Sequence, residues 1–168
     1  MQSTLTVRRE EVLNGVTTWL PDPTYVDREN DVMMGMVLFG HQNRHFRTVT
    51  SSSPLKGVEL GEMTTTSDHS HSATIKLSLG DMPMIVQTII VCGLKAPRPP
   101  HPNVKELRLT LLGISEYAFA DSDDHAVVFV RIERIKNGWE IVPIKQGLAI
   151  GIHSGWPSVR DAVKGLSR

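Results

Sequence analysis

An Asn-Gly pair near the end of the chain constrains its fold more than any other feature. The run 126–135 ends in strict alternation of apolar and charged residues, and the apolar run 139–144 follows directly after Asn137 and Gly138. Asparagine and glycine tolerate the positive φ angles that a two-residue hairpin turn requires. The sequence therefore predicts an antiparallel β-hairpin at this place.

Alternating or continuous apolar runs predict further strands along the chain, in the segments 4–8, 31–39, 45–50, 73–79, 84–91 and 107–111. The polar stretch Gly40–Asn43 lies between two of these segments and predicts a turn and a second hairpin, with Phe46 pointing into the core and Arg44, His45 and Arg47 exposed. Met84–Val91 is almost continuously apolar, which is typical of a strand buried on both faces.

One amphipathic helix is expected at the end of the chain. Its apolar stripe has i, i+3, i+4 and i+7 spacing and consists of Val159, Ala162, Val163 and Leu166. Ser158 with Asp161 three positions later resembles a capping box at the start of this helix. A weaker helical stretch is expected over Arg8–Leu13, while the segments 51–72 and 96–102 are expected to be irregular because serine, threonine, glycine and proline dominate them.

These elements predict an α+β fold. It is a single domain with a mostly antiparallel β-sheet, a C-terminal amphipathic helix and an extended N-terminal arm. The arm is expected to comprise residues 1–30, and the globular domain residues 31–168. A length of 168 residues suffices for one domain with a substantial core.

Charge and cysteine content exclude some classes of function. The formal net charge is zero, so any attraction to nucleic acid or acidic lipid has to come from a local patch. The single cysteine, Cys92, excludes an intrachain disulfide and indicates a reducing compartment. The longest apolar run, 82–92, is shorter than the roughly 20 residues that span a bilayer.

The histidines are the residues that best suit catalysis or metal binding. His41 and His45 have HxxxH spacing, and His69 and His71 alternate in the segment "SDHSH". A solvated turn or loop explains both pairs more simply, because no HExxH pattern accompanies them. The chain also lacks a P-loop, a GxGxxG motif and a GxSxG elbow. We therefore expect neither an enzyme nor a metal site, cofactor or small-molecule substrate, and keep a zinc site of the four histidines as the third alternative.

The segment "TTWLPDPTYV" (17–26) predicts contact with another protein. Its candidate self-association residues are Trp19, Leu20, Pro21, Pro23 and Tyr25. Aromatic rings supply contact area with few rotatable bonds, and prolines lower the backbone entropy lost on docking. The alternative that Trp19 packs on its own domain stays open. Arg44, Arg47, Lys95 and Arg98 are candidate cationic contacts to an anionic partner, which is nucleic acid (within a nucleocapsid, if the resemblance described next holds) or lipid.

Three segments also carry a family resemblance, in a common order along the chain. "WLPDPTYV" (19–26) resembles a W-L-P-P-P-x-Y-V segment of lyssavirus-type matrix proteins, and "NRHFRT" (43–48) resembles an N-R-x-F-R-T strand of vesiculovirus-type matrix proteins. The hairpin at 126–144 is similar in pattern to their closing hairpin. Together the segments cover about a fifth of the chain. The chain thus resembles rhabdovirus matrix proteins, with the small size of plant-virus members.

The resemblance implies a structural viral protein. Such a protein self-associates, condenses the helical nucleocapsid and links it to the envelope during assembly and budding. Implied partners are further copies in a heterologous, polymeric arrangement, the viral nucleoprotein, and the inner leaflet of the envelope as a peripheral contact. The implied location is the virion beneath the envelope, and the host cytoplasm and host membranes.

Departures from the family pattern limit these implications. Asp22 stands in place of the middle proline, so a PPxY late-budding motif is absent. The family's lysine-rich N-terminal arm is also absent.

The alternative function is a small β-rich binding module for nucleic acid or protein. If Trp19 and Tyr25 dock on another subunit, replacing both by alanine weakens self-association and leaves the domain folded.

Overall fold

Antiparallel β-strands form most of the chain in the computed structural model, which describes residues 3–20, 32–62, 64–65, 70–95, 104–122, 124–148, 150 and 155–166. Within these ranges the strands are β1 (Leu5–Arg8), β2 (Val12–Leu20), β3 (Val32–Phe39), β4 (His45–Val49), β5 (Val58–Leu60), β6 (Thr64–Thr65), β7 (His71–Ser78), β8 (Thr88–Lys95), β9 (Val104–Leu111), β10 (Ser115–Ser122), β11 (Ala126–Ile135) and β12 (Gly138–Leu148). The α-helix is α1 (Trp156–Val163), and three-residue 3₁₀ turns lie at His41–Asn43, Leu79–Asp81 and Lys164–Leu166.

The strands form two sheets. The first sheet has the order β1-β12-β11-β8-β3-β4, and the second has the order β10-β9-β2-β7-β5, with β6 also pairing with β7. Every pair is antiparallel. The two predicted hairpins are confirmed as β11–β12, where Ile135 pairs with Gly138, and β3–β4. The predicted α+β class with a mostly antiparallel sheet and a C-terminal helix is also confirmed.

The main core lies between the two sheets. Along β7, Ala73, Ile75 and Leu77 are buried while Thr74 and Lys76 are exposed, so this sheet presents one apolar face inward. Residues of the first sheet on the other side of this core include Met36, Leu38, Ile89, Val91 and Phe129. Each large apolar side chain buried in this way stabilises the fold by about 1.5–3 kcal/mol.

Helix α1 covers the opposite face of the first sheet and forms a third layer. Val159 and Val163 are buried there against residues such as Val37 and Ile90. The whole of β8 is buried because the second sheet covers one of its faces and α1 covers the other. This double burial explains the apolar character of its sequence.

The helix differs in detail from the prediction. It begins at Trp156 with a proline in its first turn, and Gly155 caps it without a side-chain hydrogen bond. The expected start at Ser158 is therefore wrong, and Ala162 of the predicted stripe is exposed. Arg131 Nη1 of β11 donates a 3.0 Å hydrogen bond to the carbonyl oxygen of Leu166, which ties the end of this layer to the sheet.

The predicted N-terminal arm is wrong for residues 3–20. These residues form β1, which pairs with β12, and β2, which pairs with both β7 and β9 inside the second sheet. The helix expected over Arg8–Leu13 is also wrong, because burial along β2 alternates every second residue. Residues 21–30 lie outside the described residues. The segment 51–72 contains β5, β6 and the start of β7, so it is only partly irregular, and 96–102 is not described.

Candidate docking surface

A β-bulge displays Phe46 on the surface. Leu38 of β3 pairs with Arg47 and the next residue, Phe39, pairs with His45, so Phe46 has no partner residue across the ladder. A bulged residue leaves the regular alternation and its side chain is re-aimed. Phe46 is consequently 37% exposed, and the prediction that it points into the core is wrong.

A β-turn at Pro83–Val86 displays two further apolar side chains. The amide of Val86 donates a 3.0 Å hydrogen bond to the carbonyl oxygen of Pro83 and closes the turn. Met84 and Ile85 occupy its central positions and are 79% and 55% exposed. With Phe46, these two residues form a surface that we name the apolar corner.

Side chains from neighbouring segments hold this turn in place. Arg134 donates from Nε to the carbonyl oxygen of Val86 at 2.9 Å and from Nη2 to that of Pro83 at 3.1 Å. Gln87 Nε2 donates to the carbonyl oxygen of Met84 at 3.1 Å. Burial, and to a lesser degree the charge of Arg9, lower the pKa of Arg134 from its ordinary value. The backbone of the turn is therefore fixed while its side chains project.

A groove of about 600 Å³ adjoins the apolar corner. Its lining residues are Gly40, His41, Gln42, Arg44, His45, Phe46 and Ile85. Positive φ angles of 59° at Gln42 and 57° at Asn43 shape the turn that forms one wall. Its volume lies within the range of pockets that take small ligands or single side chains.

His45 connects the groove to the helical layer. Its Nε2 lies 2.9 Å from Thr48 Oγ1, and its ring meets the ring of Phe39 edge to face at a centroid distance of 6.0 Å. Burial lowers the pKa of His45, and the positive charge of Arg160 lowers it further. Asp161, which pairs with Arg160 at 3.0 Å, acts in the opposite direction.

Two of the predicted self-association residues, Trp19 and Leu20, lie within the described part of the chain. Trp19 is 1% exposed and packs in the core, with its ring 5.8 Å from the ring of His71. Leu20 is partly buried at the end of β2. Because Trp19 packs within its own domain, it does not belong to an exposed docking segment. Pro21, Pro23 and Tyr25 lie outside the described residues.

The predicted cationic contacts that the structure describes, Arg44, Arg47 and Lys95, do not form one surface. Arg44 and Arg47 are exposed on the same hairpin, and Arg47 Nη1 donates to the carbonyl oxygen of Pro54 at 3.0 Å. Lys95 is 1% exposed, because it ends the central strand β8, so its predicted role as a contact to nucleocapsid or lipid is wrong. Arg98 lies outside the described residues.

The described histidines of the two predicted pairs lie in different places. His41 and His45 line the groove, whereas His71 is buried in the second sheet and His69 is not described. In the described parts of the chain, no three residues of the types that bind metals come together. The structure therefore brings no metal-binding set to the groove from these ranges.

Sequence reasoning missed Met84 and Ile85, because it assigned Met84–Val91 to one buried strand. The strand begins only at Thr88. Pro83 was the available signal, since proline cannot donate to the ladder of a central strand and often precedes one. The apolar pair that follows it lies in the turn.

A second groove, of about 740 Å³, lies on the outer face of the second sheet. Polar and apolar side chains alternate along it, including Asn14, Val16, Glu59, Lys76 and Leu112. Its two charged residues have opposite signs, and Lys76 Nζ lies 3.9 Å from Glu59 Oε2. Because its charges are paired and lie on the other sheet, away from the apolar corner, binding at this second groove is distinguishable from binding at the first.

No protein-family model matches this chain. Searches of curated proteins and of solved structures likewise find no match. Within the described ranges, no helix has the length and apolar character needed to cross a membrane.

Proposed function

We propose that this chain is a matrix-type viral structural protein that touches the inner leaflet of an envelope through the apolar corner. The observation that carries the proposal is that Met84 and Ile85 are exposed on a turn whose backbone Arg134 and Gln87 hold. A turn of this kind enters the interface of a bilayer without losing backbone order. The protein also self-associates and condenses a nucleocapsid in this proposal.

The energetics favour an apolar rather than an electrostatic membrane contact. Full burial of one large apolar side chain contributes about 1.5–3 kcal/mol, whereas one basic residue near an anionic surface contributes about 1 kcal/mol. The chain is neutral, and Arg44 is the arginine that lines the groove. Insertion of Met84 and Ile85 is therefore the larger contribution, and it makes the contact peripheral and reversible.

The sequence supports the same proposal from another direction. The segment "NRHFRT", which resembles vesiculovirus-type matrix proteins, contains both Arg44 of the groove and Phe46 of the apolar corner. Self-association through Pro21, Pro23 and Tyr25 remains part of the proposal. Trp19 is excluded from that contact because it is buried.

Vesicle co-sedimentation tests the membrane contact. The full chain is mixed with phosphatidylcholine vesicles that contain phosphatidylserine, and the bound fraction is compared with that of the double variant Met84→Ser, Ile85→Ser. A matched control, Val12→Ser with Leu112→Ser, removes two apolar side chains that are 43% and 58% exposed away from the apolar corner. We expect the partition coefficient of the first variant to fall at least about tenfold, because a loss of about 1.4 kcal/mol of binding free energy corresponds to a factor of ten. The control variant is expected to bind like the wild type.

Equal binding by both double variants contradicts the membrane contact, and so does binding that high salt abolishes completely. Self-association is measured separately by sedimentation velocity and by negative-stain imaging of the concentrated protein. Ordered arrays are the expected result, and a concentration-independent monomer contradicts the matrix proposal.

A nucleic-acid-binding module is the second candidate, because Arg44 and Arg47 are both exposed on one hairpin. Phosphate contacts release counterions, so binding through them weakens steeply with salt. RNA binding by the monomer with a steep salt dependence, lost in Arg44→Glu with Arg47→Glu, favours this candidate over the matrix proposal.

A further inference from the structure

The groove beside the apolar corner combines an apolar floor with a cationic wall. Phe46 and Ile85 supply apolar surface, Arg44 supplies a permanent positive charge, and His41 and His45 supply ring nitrogens. None of the described residues that line the groove is a carboxylate. The described lining therefore carries the positive charge of Arg44, although the chain as a whole is neutral.

The charges that α1 brings to the rim oppose each other. Arg160 lowers the pKa of His45, whereas Asp161, which pairs with Arg160 at 3.0 Å, raises it, so this ion pair carries no net charge. Arg47, on the same strand as Phe46, instead points its guanidinium to the carbonyl oxygen of Pro54 and does not line the groove. Arg44 is therefore the permanent cation within the groove.

The walls are preorganised. The bulge fixes the direction of Phe46, Arg134 fixes the turn that carries Ile85, and Gly40 lies against that turn, where an added Cβ would come within 3.1 Å of the Ile85 carbonyl oxygen. Preorganised sites lose less conformational entropy on binding than flexible ones do. A preformed groove of this size accommodates one or two side chains of a partner.

We propose that this groove binds a short acidic polypeptide segment that carries an aliphatic side chain. The aliphatic group packs between Phe46 and Ile85, and a carboxylate of the segment accepts hydrogen bonds from the Arg44 guanidinium. The groove shares Phe46 and Ile85 with the apolar corner, whereas Met84 does not line it. Peptide binding is therefore a second use of part of the same surface, and it is tested in the absence of lipid.

A polypeptide fits the groove better than a nucleic acid does. Single-stranded nucleic acids require a track of cations along the backbone and several aromatic rings for stacking. Among the described lining residues there is one phenyl ring, Phe46, and one arginine, Arg44, and the other large apolar side chain, Ile85, is aliphatic. Charge complementarity with carboxylates and an apolar side chain is therefore the matching chemistry.

The test is an NMR titration of the full-length chain at concentrations where it is monomeric. The probe is the peptide acetyl-Glu-Asp-Leu-Asp-Glu-amide, and its neutral counterpart is acetyl-Gln-Asn-Leu-Asn-Gln-amide. We expect shift changes at Gly40–Phe46 and Ile85, and an affinity about two- to tenfold higher for the acidic peptide, as expected from one or two exposed ion pairs.

Two charge reversals on the same hairpin separate a specific contact from general electrostatics. Arg44→Glu is expected to abolish the preference for the acidic peptide, whereas Arg47→Glu, three residues away and outside the groove, retains it. The amide spectrum of each variant reports whether the fold is kept. Phe46→Ser is expected to lower the affinity for both peptides by the same factor, because it removes the apolar floor and leaves Arg44 in place.

Three results overturn the proposal. These are equal affinity for the two peptides, equal losses in both charge reversals, and shift changes centred on the outer face of the second sheet. Tighter binding of an oligouridine with a steep salt dependence assigns the groove to nucleic acid instead. The titration contains no lipid, so its outcome is independent of the vesicle experiment.

Discussion

The guanidinium of Arg134 lies 4.2 Å from the centroid of the Trp139 ring, and the two residues are direct partners across the β11–β12 hairpin. The same guanidinium donates to two carbonyl oxygens of the turn that carries Met84 and Ile85. The hairpin therefore does more than close the first sheet. It orients the side chain that holds the apolar corner in place.

Replacing Arg134 by alanine is expected to destabilise the fold and loosen the apolar corner. Two hydrogen bonds from a charged donor contribute about 1.5–3 kcal/mol each at most, and the ring contact about 0.5–1 kcal/mol. Because such contributions overlap, we expect a loss of about 2–4 kcal/mol in the free energy of unfolding, measured by urea denaturation.

The matched control for this change is Arg108→Ala. Arg108 of β9 pairs with Glu116 of β10 at 3.5 Å, and both side chains are exposed. Exposed pairs contribute about 0–1 kcal/mol. Arg134→Lys is not expected to restore stability, since an ammonium cannot reproduce the fork of donors. If Arg134→Ala and Arg108→Ala lower the free energy of unfolding by equal amounts, Arg134 does not hold the turn in the way described.

Trp19→Ala is expected to destabilise the domain itself. The side chain is buried in the main core, and truncation of a buried tryptophan costs about 3–5 kcal/mol. Thermal unfolding of this variant is compared with that of Val12→Ala, a change at an exposed position of the same strand. A stable Trp19→Ala domain that only loses self-association restores the docking role predicted from the sequence.

Gly35→Ala is expected to displace helix α1 from the first sheet. An added Cβ overlaps the ring of Trp156, and overpacking of this kind costs about 1–3 kcal/mol. Gly165→Ala is the control, because the space around that glycine is open. The double variant with Trp156→Leu measures the coupling between the two sites. Additive losses in this cycle contradict a direct clash.

His45 makes stability depend on pH with a defined sign. Its folded-state pKa lies below the ordinary value of 6.5, because burial and Arg160 disfavour the imidazolium. The unfolded state then binds more protons, so the stabilisation is complete above pH 6.5 and is lost as the pH falls through the folded-state pKa. Urea denaturation from pH 8 to pH 5 is expected to show this loss, and His45→Gln to reduce it. If the free energy of unfolding changes with pH in the same way in the wild type and in His45→Gln, His45 is not the source of the pH dependence.

The sequence predicted those elements that local chemistry specifies. The Asn137-Gly138 turn forms the expected hairpin, because both residues suit its backbone geometry. Gly40–Asn43 forms a turn between two paired strands, and Val159 and Val163 face the sheet as their helical spacing indicates. In each case the deciding interactions lie within a few residues of one another.

Only the tertiary structure decided which apolar residues are displayed. Alternation directs Phe46 inward, but the pairing of β4 with β3 places a bulge at this residue. The run Met84–Val91 looks uniformly apolar, yet hydrogen bonds from Arg134, about 50 residues away in sequence, hold its first part in an exposed turn. Trp19, in a segment that suits docking, is buried because β2 pairs with β7 and β9. The sequence by itself thus determined the two hairpins, several of the strands and the buried face of the helix. Contacts between distant segments determined that Val12–Leu20 is a strand, where β8 begins and which apolar side chains the surface presents to a partner.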